Sequence, residues 1–309
     1  NMKRLTLILT ILVAAASCAL SAADAPKRQE WYDGPLYGNV ESVTVTRYSL
    51  KDSSGVLSRG KIEDKFCYNF NQSGDVTERA EYGSSGSLRG KMIYKYDTKG
   101  NKTEFAYYTS DGSLMRKVIY KYDTKGNKTE EAEYNSDGSL KKKDIFKYDT
   151  NEKMTERATY ASDGSLFGKS IYKYDTKGNK TEYASYNLDG SLFSKSIYKY
   201  DTKGNNTEEA DYYSDGSLIS KSTYKYDTQG NKTEEAWYLS AGSLNSKSTY
   251  KYDTKGNKTE KAKYKSDGSL SRKFIYKYDS RGNITEVTKY YGEMQKPESQ
   301  DVYTIIFRK

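Results

Sequence analysis

The chain has no histidine, two cysteines, three prolines and two tryptophans in 309 residues. Without histidine there is no Ser-His-Asp or Cys-His catalytic arrangement, and the commonest zinc ligand is missing. Cys18 lies in an N-terminal segment, which leaves Cys67 without a partner for an internal disulfide. Neither a Gly-x-Ser-x-Gly elbow nor a phosphate-cradling glycine loop is present. Aliphatic bulk is scarce too: hydrophobic residues are 35% of the chain, charged residues 30%, and mean hydropathy is −0.97. So polar a chain cannot build a thick aliphatic core. Disordered chains are poor in aromatics, whereas this one has 33 tyrosines against 8 phenylalanines. The composition therefore predicts a thin core made largely of tyrosine.

The one long apolar run is at the start. Lys3 and Arg4 precede Leu5–Ala16, a run too short to span a bilayer comfortably, and Ser21-Ala22-Ala23 before Asp24 fits a signal-peptidase cut. Residues 1–23 read as a signal peptide, so an extracytoplasmic protein is expected, either secreted or at the cell surface. Ala15-Ala16-Ser17-Cys18 also approaches a bacterial lipobox, with Ala15 where leucine is usual. Lipidation at Cys18 would place the protein on a membrane as a lipoprotein. Of 51 basic residues, Lys3 and Arg4 belong to that segment, which leaves 49 against 42 acidic residues, a net charge of +7. The charges alternate in sign, as on a soluble surface.

An internal repeat dominates the rest. Tyr96, Tyr122, Tyr148, Tyr174, Tyr200, Tyr226, Tyr252 and Tyr278 follow one another at intervals of 26 residues, and a decayed unit precedes them at Phe66–Tyr82. Each unit carries two turns, such as Thr124-Lys125-Gly126-Asn127 and Ser136-Asp137-Gly138-Ser139. In both, glycine stands where a type I turn is followed by a left-handed residue. Between the turns lie runs with strand alternation, and a breaker every dozen residues excludes helix. The expected fold is all-β: tandem 26-residue β-hairpin repeats in a continuous antiparallel meander, as a single-layer or curled sheet. A capping segment is expected at 24–61, the repeat domain at 62–290 and a capping strand at 291–309.

Simple turn geometry predicts a register. Asp123 pairs with Asn127, so Tyr120 faces Glu130, position 118 faces Ala132, Tyr134 faces Leu140 and Glu133 faces Lys141. Alternation then puts Tyr120, Tyr122, Ala132, Tyr134 and Leu140 on one packed face. Lys117, Ile119, Lys121, Glu131, Glu133 and Lys141 fall on the other, exposed face. Between repeats, position 133 varies as Tyr107, Glu133, Thr159, Ser185, Asp211, Trp237 and Lys263, and position 141 as Met115, Lys141, Phe167, Phe193, Ile219, Asn245 and Ser271.

The core Tyr120-Lys121-Tyr122-Asp123-Thr124-Lys125-Gly126-Asn127, with Asp137-Gly138 downstream, resembles the YD repeats of the Rhs and teneurin families over about Ile62–Tyr290. That resemblance implies tandem β-hairpins, which in those families form a spiralling shell that encloses a toxin or serves adhesion. The 26-residue period is longer than usual for such repeats, and the chain is short for a full shell. Short secreted bacterial proteins with the same repeat are the nearer likeness.

Catalysis is not expected. An active acid pair needs one special place, and the repeat supplies many equivalent ones. Nor is a metal or cofactor expected: each Asp-Gly turn offers a single aspartate, which a turn-stabilising hydrogen bond accounts for. The Asn-Lys-Thr triplets at Asn101 and its copies read as turn residues rather than glycosylation sites. The expected role is structural or interactive, a cell-envelope scaffold or adhesin-like module whose partner is an envelope polymer, a glycan or a protein. The alternatives are a carbohydrate-binding module and an Rhs-like shell fragment that handles a polypeptide or toxin. Tyr107, Tyr183, Tyr213 and Trp237 interrupt the repeat on or beside its variable face and are the candidate ligand-facing residues. Nucleic acid is not an expected partner, because the register puts Tyr120 and Lys121 on opposite faces. Membrane contact is expected only through a lipid anchor at Cys18.

Overall fold

A computed structural model describes residues 31–309 except 32, 35, 55 and 293–295. The signal segment and Cys18 lie outside the described residues. From β1 (Val40–Ser53) to β20 (Lys296–Phe307) the chain forms twenty strands, each antiparallel to the next, and β1 also pairs with β20. The meander is therefore a closed barrel. Closure removes both sheet edges, whose unpaired backbone groups would otherwise invite other chains. The first two strands and the last, all longer than those of the repeats, form the seam: β2 (Val56–Phe70) hydrogen-bonds to β1, and β19 (Ile284–Tyr291) to β20.

Both predicted turns form. Gly126 N donates to Asp123 O (3.1 Å) and Asp123 N to Asn127 O (2.9 Å), with Gly126 at φ +92°. Asp123 makes the turn rigid: its Oδ1 accepts from Lys125 N and Asn127 N, and its Oδ2 from Asn127 Nδ2. At the opposite turn Asp137 Oδ1 accepts from Ser139 N and Oγ. The repeat thus sorts its turns to two ends of the barrel, an Asp-x-x-Gly-Asn mouth and an Asp-Gly mouth.

The predicted register holds next to each turn and then slips by one. Tyr122 pairs with Lys128, but Lys121 pairs with Glu130, so β7 (Lys128–Asn135) gains a residue against β6 (Leu114–Tyr122). At the other turn Tyr134 pairs with Leu140, but Glu133 pairs with Lys142, which gives β8 (Leu140–Tyr148) an extra residue at Lys141. These are β-bulges, repeated around the barrel, and each adds twist. They overturn the predicted faces along β7 and leave those along β6 as predicted. Tyr120 lies opposite Glu131 and Ile119 opposite Ala132. One face therefore carries Val118, Tyr120, Glu131, Glu133, Lys142, Asp144 and Phe146, and the other Lys117, Ile119, Lys121, Glu130, Ala132, Tyr134 and Lys143. The Glu133–Lys141 pair survives the slip, at 3.0 Å across the bulge.

The Tyr120 face is the inner one. Asp33, in the segment before β1, feels Arg47, Arg79, Lys289 and Asp301, and its charge reaches Tyr68, Tyr276 and Tyr303. The strand residues among these come from the six neighbouring strands that run from β18 (Leu270–Tyr278) across the seam to β3 (Val76–Gly83), all on the face that carries the buried core. Trp31 packs edge-on against Tyr68 and Phe70 (ring centres 5.1 and 5.8 Å), and Tyr37 N donates to Asn283 Oδ1. Trp31, Asp33, Gly34 and Tyr37 thus lie against the inner wall at the Asp-x-x-Gly-Asn end, beside the seam. The aromatic and aliphatic core lies against this segment and the first strands, with Val43, Val45, Phe70, Val76, Tyr94, Phe105 and Val118. At the seam, Arg47 donates to Asp301 (2.8 Å) and pairs with Asp64 (3.1 Å), while Lys289 meets Asp301 at 2.7 Å.

A second repeating bond follows from the bulge. The ladder between β5 (Lys102–Thr109) and β6 ends at Glu104–Ile119, short of the mouth. There the Tyr122 hydroxyl donates to Lys102 O at 2.7 Å. Tyr96, Tyr148, Tyr174, Tyr200, Tyr226, Tyr252 and Tyr278 do the same to the carbonyl twenty residues earlier, at 2.7–2.8 Å. Burial, followed by Tyr120 and Asp97, pushes the Tyr122 phenol up to about 12, so it remains a donor at neutral pH.

Tyr174→Phe should lower stability by about 1 kcal/mol, the net value of one such bond, and Tyr174→Ser by about 2–4 kcal/mol. Phe193→Ser, at a bulge where the ring is 63% exposed, should cost far less in the same urea melts. At the turn Asp149–Lys153, Glu152 stands in glycine's place with φ +62°. Relieving a left-handed residue, Glu152→Gly should raise stability by about 1 kcal/mol.

Candidate functional site

Function has to be sought on one of two walls. The outer wall is a belt of ion pairs: Lys95–Glu104, Lys121–Glu130, Lys147–Glu156, Lys173–Glu182, Lys199–Glu208, Lys225–Glu234, Lys251–Glu260 and Lys277–Glu286, all at 2.7–2.9 Å. The lysine ends are solvent-exposed, and the alanines between the pairs are covered by neighbouring side chains. A charged belt on the outward face suits water and opposes immersion in lipid hydrocarbon. It is nearly identical in every repeat and offers no singular place.

The inner wall differs from strand to strand. Its variable positions include the whole Tyr107-to-Lys263 series, which the slipped register turns inward rather than outward. A Tyr–Lys ladder runs along its deep end. Lys128 Nζ lies 5.5 Å from the Tyr120 ring centre and 4.6 Å from that of Phe146, and Lys232 sits between Tyr224 and Tyr250 at 5.1 and 5.3 Å. Lys121 is on the other face from Tyr120, as expected, but the tyrosine meets lysine from the neighbouring strand.

Nearer the Asp-Gly mouth the wall divides. Toward the first strands it is filled by Met92, Phe105, Tyr107 and Val118. From β10 (Leu166–Tyr174) to β16 (Leu244–Tyr252) the equivalent positions are Ser170, Ser185, Ser194, Ser196, Ser220, Ser222, Ser246 and Ser248. Small side chains keep this half open. Within it, Trp237 of β15 (Lys232–Leu239) lies between Ser222 and Ser246, 40% exposed. Trp237, Ser222, Ser246, Ser248, Glu235 and Lys263 line a recess of about 300 Å³.

Its carboxylate is engaged. Glu235 Oε2 accepts from Lys232 Nζ (2.7 Å) and the Tyr250 hydroxyl (2.9 Å). Burial opposes ionisation of Glu235, but these bonds and the nearby cations win and hold its carboxyl below the usual range. On the same wall Asp211 accepts from Ser196 and Ser220. Basic groups gather on β17 (Lys258–Lys265): burial, and then Lys261 and Lys232, depress the Lys258 ammonium below its ordinary value.

The four sequence candidates do not form one patch. Trp237 is at the recess. Tyr183 is on the same wall but packed at a tilt against Tyr172 (ring centres 5.3 Å apart), with its hydroxyl 3.2 Å from that of Ser170. Tyr107 packs into the core on the opposite side of the ring. Tyr213 stands at the Asp-Gly rim, 54% exposed, where Phe167, Leu188, Phe193 and Leu239 are also exposed. Lys263, Glu235 and the serines were not singled out from sequence. The run of Lys-Ser-x-Tyr-Lys-Tyr in the later repeats, against Lys-Val-Ile-Tyr-Lys-Tyr at Lys117, was the available signal.

No known family matches the chain, and no curated protein does. Among solved structures it is similar to a porin-like protein from Bacteroides uniformis, with 12% identity and a TM-score of 0.38 over 86% of this chain and 96% of that one. It is also similar to the TcdB2-TccC3-Cdc42 complex, with 11% identity and a TM-score of 0.22 over 85% of this chain and 19% of that one. A third likeness is to the Photorhabdus luminescens Tc holotoxin pore, with 11% identity and a TM-score of 0.18 over 79% of this chain and 19% of that one. The chain spans about a fifth of the length of those toxin chains. TM-scores this low do not carry a role across.

The outer belt gives a test of the electrostatics. Hydrogen bonds from Lys169 (2.8 Å) and Lys147 (2.9 Å) hold Glu156 below the ordinary value of 4.5. Its stabilising contribution is complete above that value and lost as pH falls through the depressed one. Urea midpoints measured from pH 6 downward should therefore fall, and Glu156→Gln should flatten the fall. An equal fall in the variant would show that Glu156 contributes nothing.

Proposed function

We propose that the protein is a non-catalytic interaction module, acting outside the cytoplasm, that presents its recognition surface on the inner wall of the barrel. The observation that carries this reading is the division of labour within the repeat. Tyrosine clamps, aspartate turns and the outer Lys–Glu belt recur with little change, while the inward positions around Trp237 vary and stay open. A fold that spends its regularity on the frame is free to vary one wall. The signal-like N-terminus and a charged, water-facing exterior support an extracytoplasmic place, freely secreted or held by a lipid at Cys18.

A second reading is favoured by the closed ring itself. The Tyr-Asp/Gly repeat resembles the YD repeats of Rhs and teneurin proteins, and a hollow barrel supports a shell fragment that receives a polypeptide.

The test is a binding screen of the purified protein against soluble glycans, cell-wall polymers and unfolded polypeptides, at low salt and at about 0.15 M. The expected result is saturable binding of one class that survives the higher salt. Binding that disappears with salt, or no binding to any class, would reduce the protein to a structural frame with a basic surface.

A further inference from the structure

The Trp237 recess has more specific chemistry than an open wall requires, and the inference drawn from it rests on the interaction reading above. The indole is exposed inside a concave sheet, flanked on both sides by serine, so nothing bulky covers its face. No hydrogen bond to its N–H is present among the described residues. Its neighbours are hydroxyls, which donate to or accept from other hydroxyls with equal ease. A flat ring bordered by hydroxyl groups suits a pyranose, whose C–H face lies on the indole while its hydroxyls meet the serines.

Charge narrows the class. The recess holds one acidic and one basic side chain, Glu235 and Lys263. Glu235 is neutralised by Lys232 and bonded by Tyr250. The Lys263 ammonium has no ion pair or hydrogen bond among the described residues, and the residue is exposed. Inward along the same strand stands Lys261, 5.7 Å from the Tyr250 ring centre. The strand of Trp237 and that of Lys263 are two strand spacings apart, about 10 Å, within reach of a ring on the indole and a lysine stem bent toward it. Within the recess the unpaired charge is thus positive and lies to one side of the aromatic platform; two strands away on the other side Asp211, bonded by Ser196 and Ser220, is negative and turns an anionic ligand toward Lys263.

We propose that the recess binds an acidic glycan: a uronate unit stacks on Trp237, its hydroxyls meet Ser222, Ser246 and Ser248, and a carboxylate of the same chain pairs with Lys263. The Asp-Gly mouth gives access, since Trp31, Asp33 and Tyr37 lie at the other end. A hydroxyl-lined platform with a single free ammonium fits this class better than single-stranded nucleic acid, which would place a phosphate at every unit and call for a longer basic track.

The two tryptophans make the test direct. Trp31 is 9% exposed and Trp237 40%, so acrylamide quenching of fluorescence in the full chain reports mainly on Trp237, and Trp31→Phe isolates it. The probes are hexagalacturonate, cellohexaose and a thymidine oligonucleotide. Hexagalacturonate should protect Trp237 from quenching and bind saturably at about 0.15 M salt. Trp237→Ala should weaken it roughly tenfold or more, as expected of an aromatic anchor. Lys263→Gln should weaken hexagalacturonate several-fold and leave cellohexaose unchanged. Tyr213→Ala, at the rim, should change neither, and far-ultraviolet circular dichroism checks that each variant is folded. Equal protection by cellohexaose with no effect of Lys263→Gln would overturn the acidic assignment and leave the interaction reading intact. Protection by the oligonucleotide alone would overturn the glycan. Hexagalacturonate binding that leaves Trp237 as quenchable as before would overturn this site. If no probe binds and the wider screen is also empty, the interaction reading falls with it.

Discussion

The barrel depends on a single bond made eight times: a tyrosine hydroxyl on a backbone carbonyl that lies beyond the end of the neighbouring ladder. A bulge beside each Asp-x-x-Gly-Asn turn shifts the register by one, the neighbouring ladder stops short of the mouth, and the tyrosine takes the exposed oxygen. The bulge, the turn and the tyrosine are therefore one device. It explains how a chain with so little aliphatic bulk holds a sheet of twenty strands. Most of its inner side chains are only half-buried, so hydrophobic burial is modest outside the cluster around Trp31. Each clamp joins a strand to its neighbour, which makes stability a sum of local terms, as in other repeat proteins.

Around that frame the two walls have separate work. The outer wall meets water with paired charges, and its repetition means that no single pair is decisive. The inner wall is asymmetric. Close to the seam it is packed with aromatic and aliphatic side chains against Trp31 and Leu36, and farther round the serines leave it open. Regular backbone and irregular lining coexist because the clamp and the turns use positions that the lining does not.

Much of this was legible in the sequence. The 26-residue interval of tyrosines gave the hairpins, and the third position of each repeat turn, glycine everywhere except Glu152, gave the turn type, since φ is positive there. The faces were not legible, for a physical reason. The second bulge falls at Lys128–Thr129 and at Lys141, ordinary residues in ordinary conformations, so no glycine marks it. A one-residue slip exchanges every side chain between faces. That slip moved Glu131, Glu133 and Trp237 from the expected exterior to the interior and sent Ala132 and Tyr134 outward. Ring closure was likewise open in the sequence, because pairing of β1 with β20 joins segments about 250 residues apart that share no repeat motif. Of the candidate residues, Trp237 lies in the recess, while Lys263 stood in the same variable series and was set apart only when the register turned that series inward.

Closure between the two non-repeating ends has a consequence for how such a protein can change. Each 26-residue unit contributes two antiparallel strands, so a unit gained or lost alters the ring by an even number and leaves β1 and β20 still correctly opposed. Duplication of one unit would lengthen the circumference by about 10 Å, two strand spacings, without rewriting the seam. The bore of the barrel is thus a quantity that a gene can count, and slippage between near-identical repeats is a means of adjusting it.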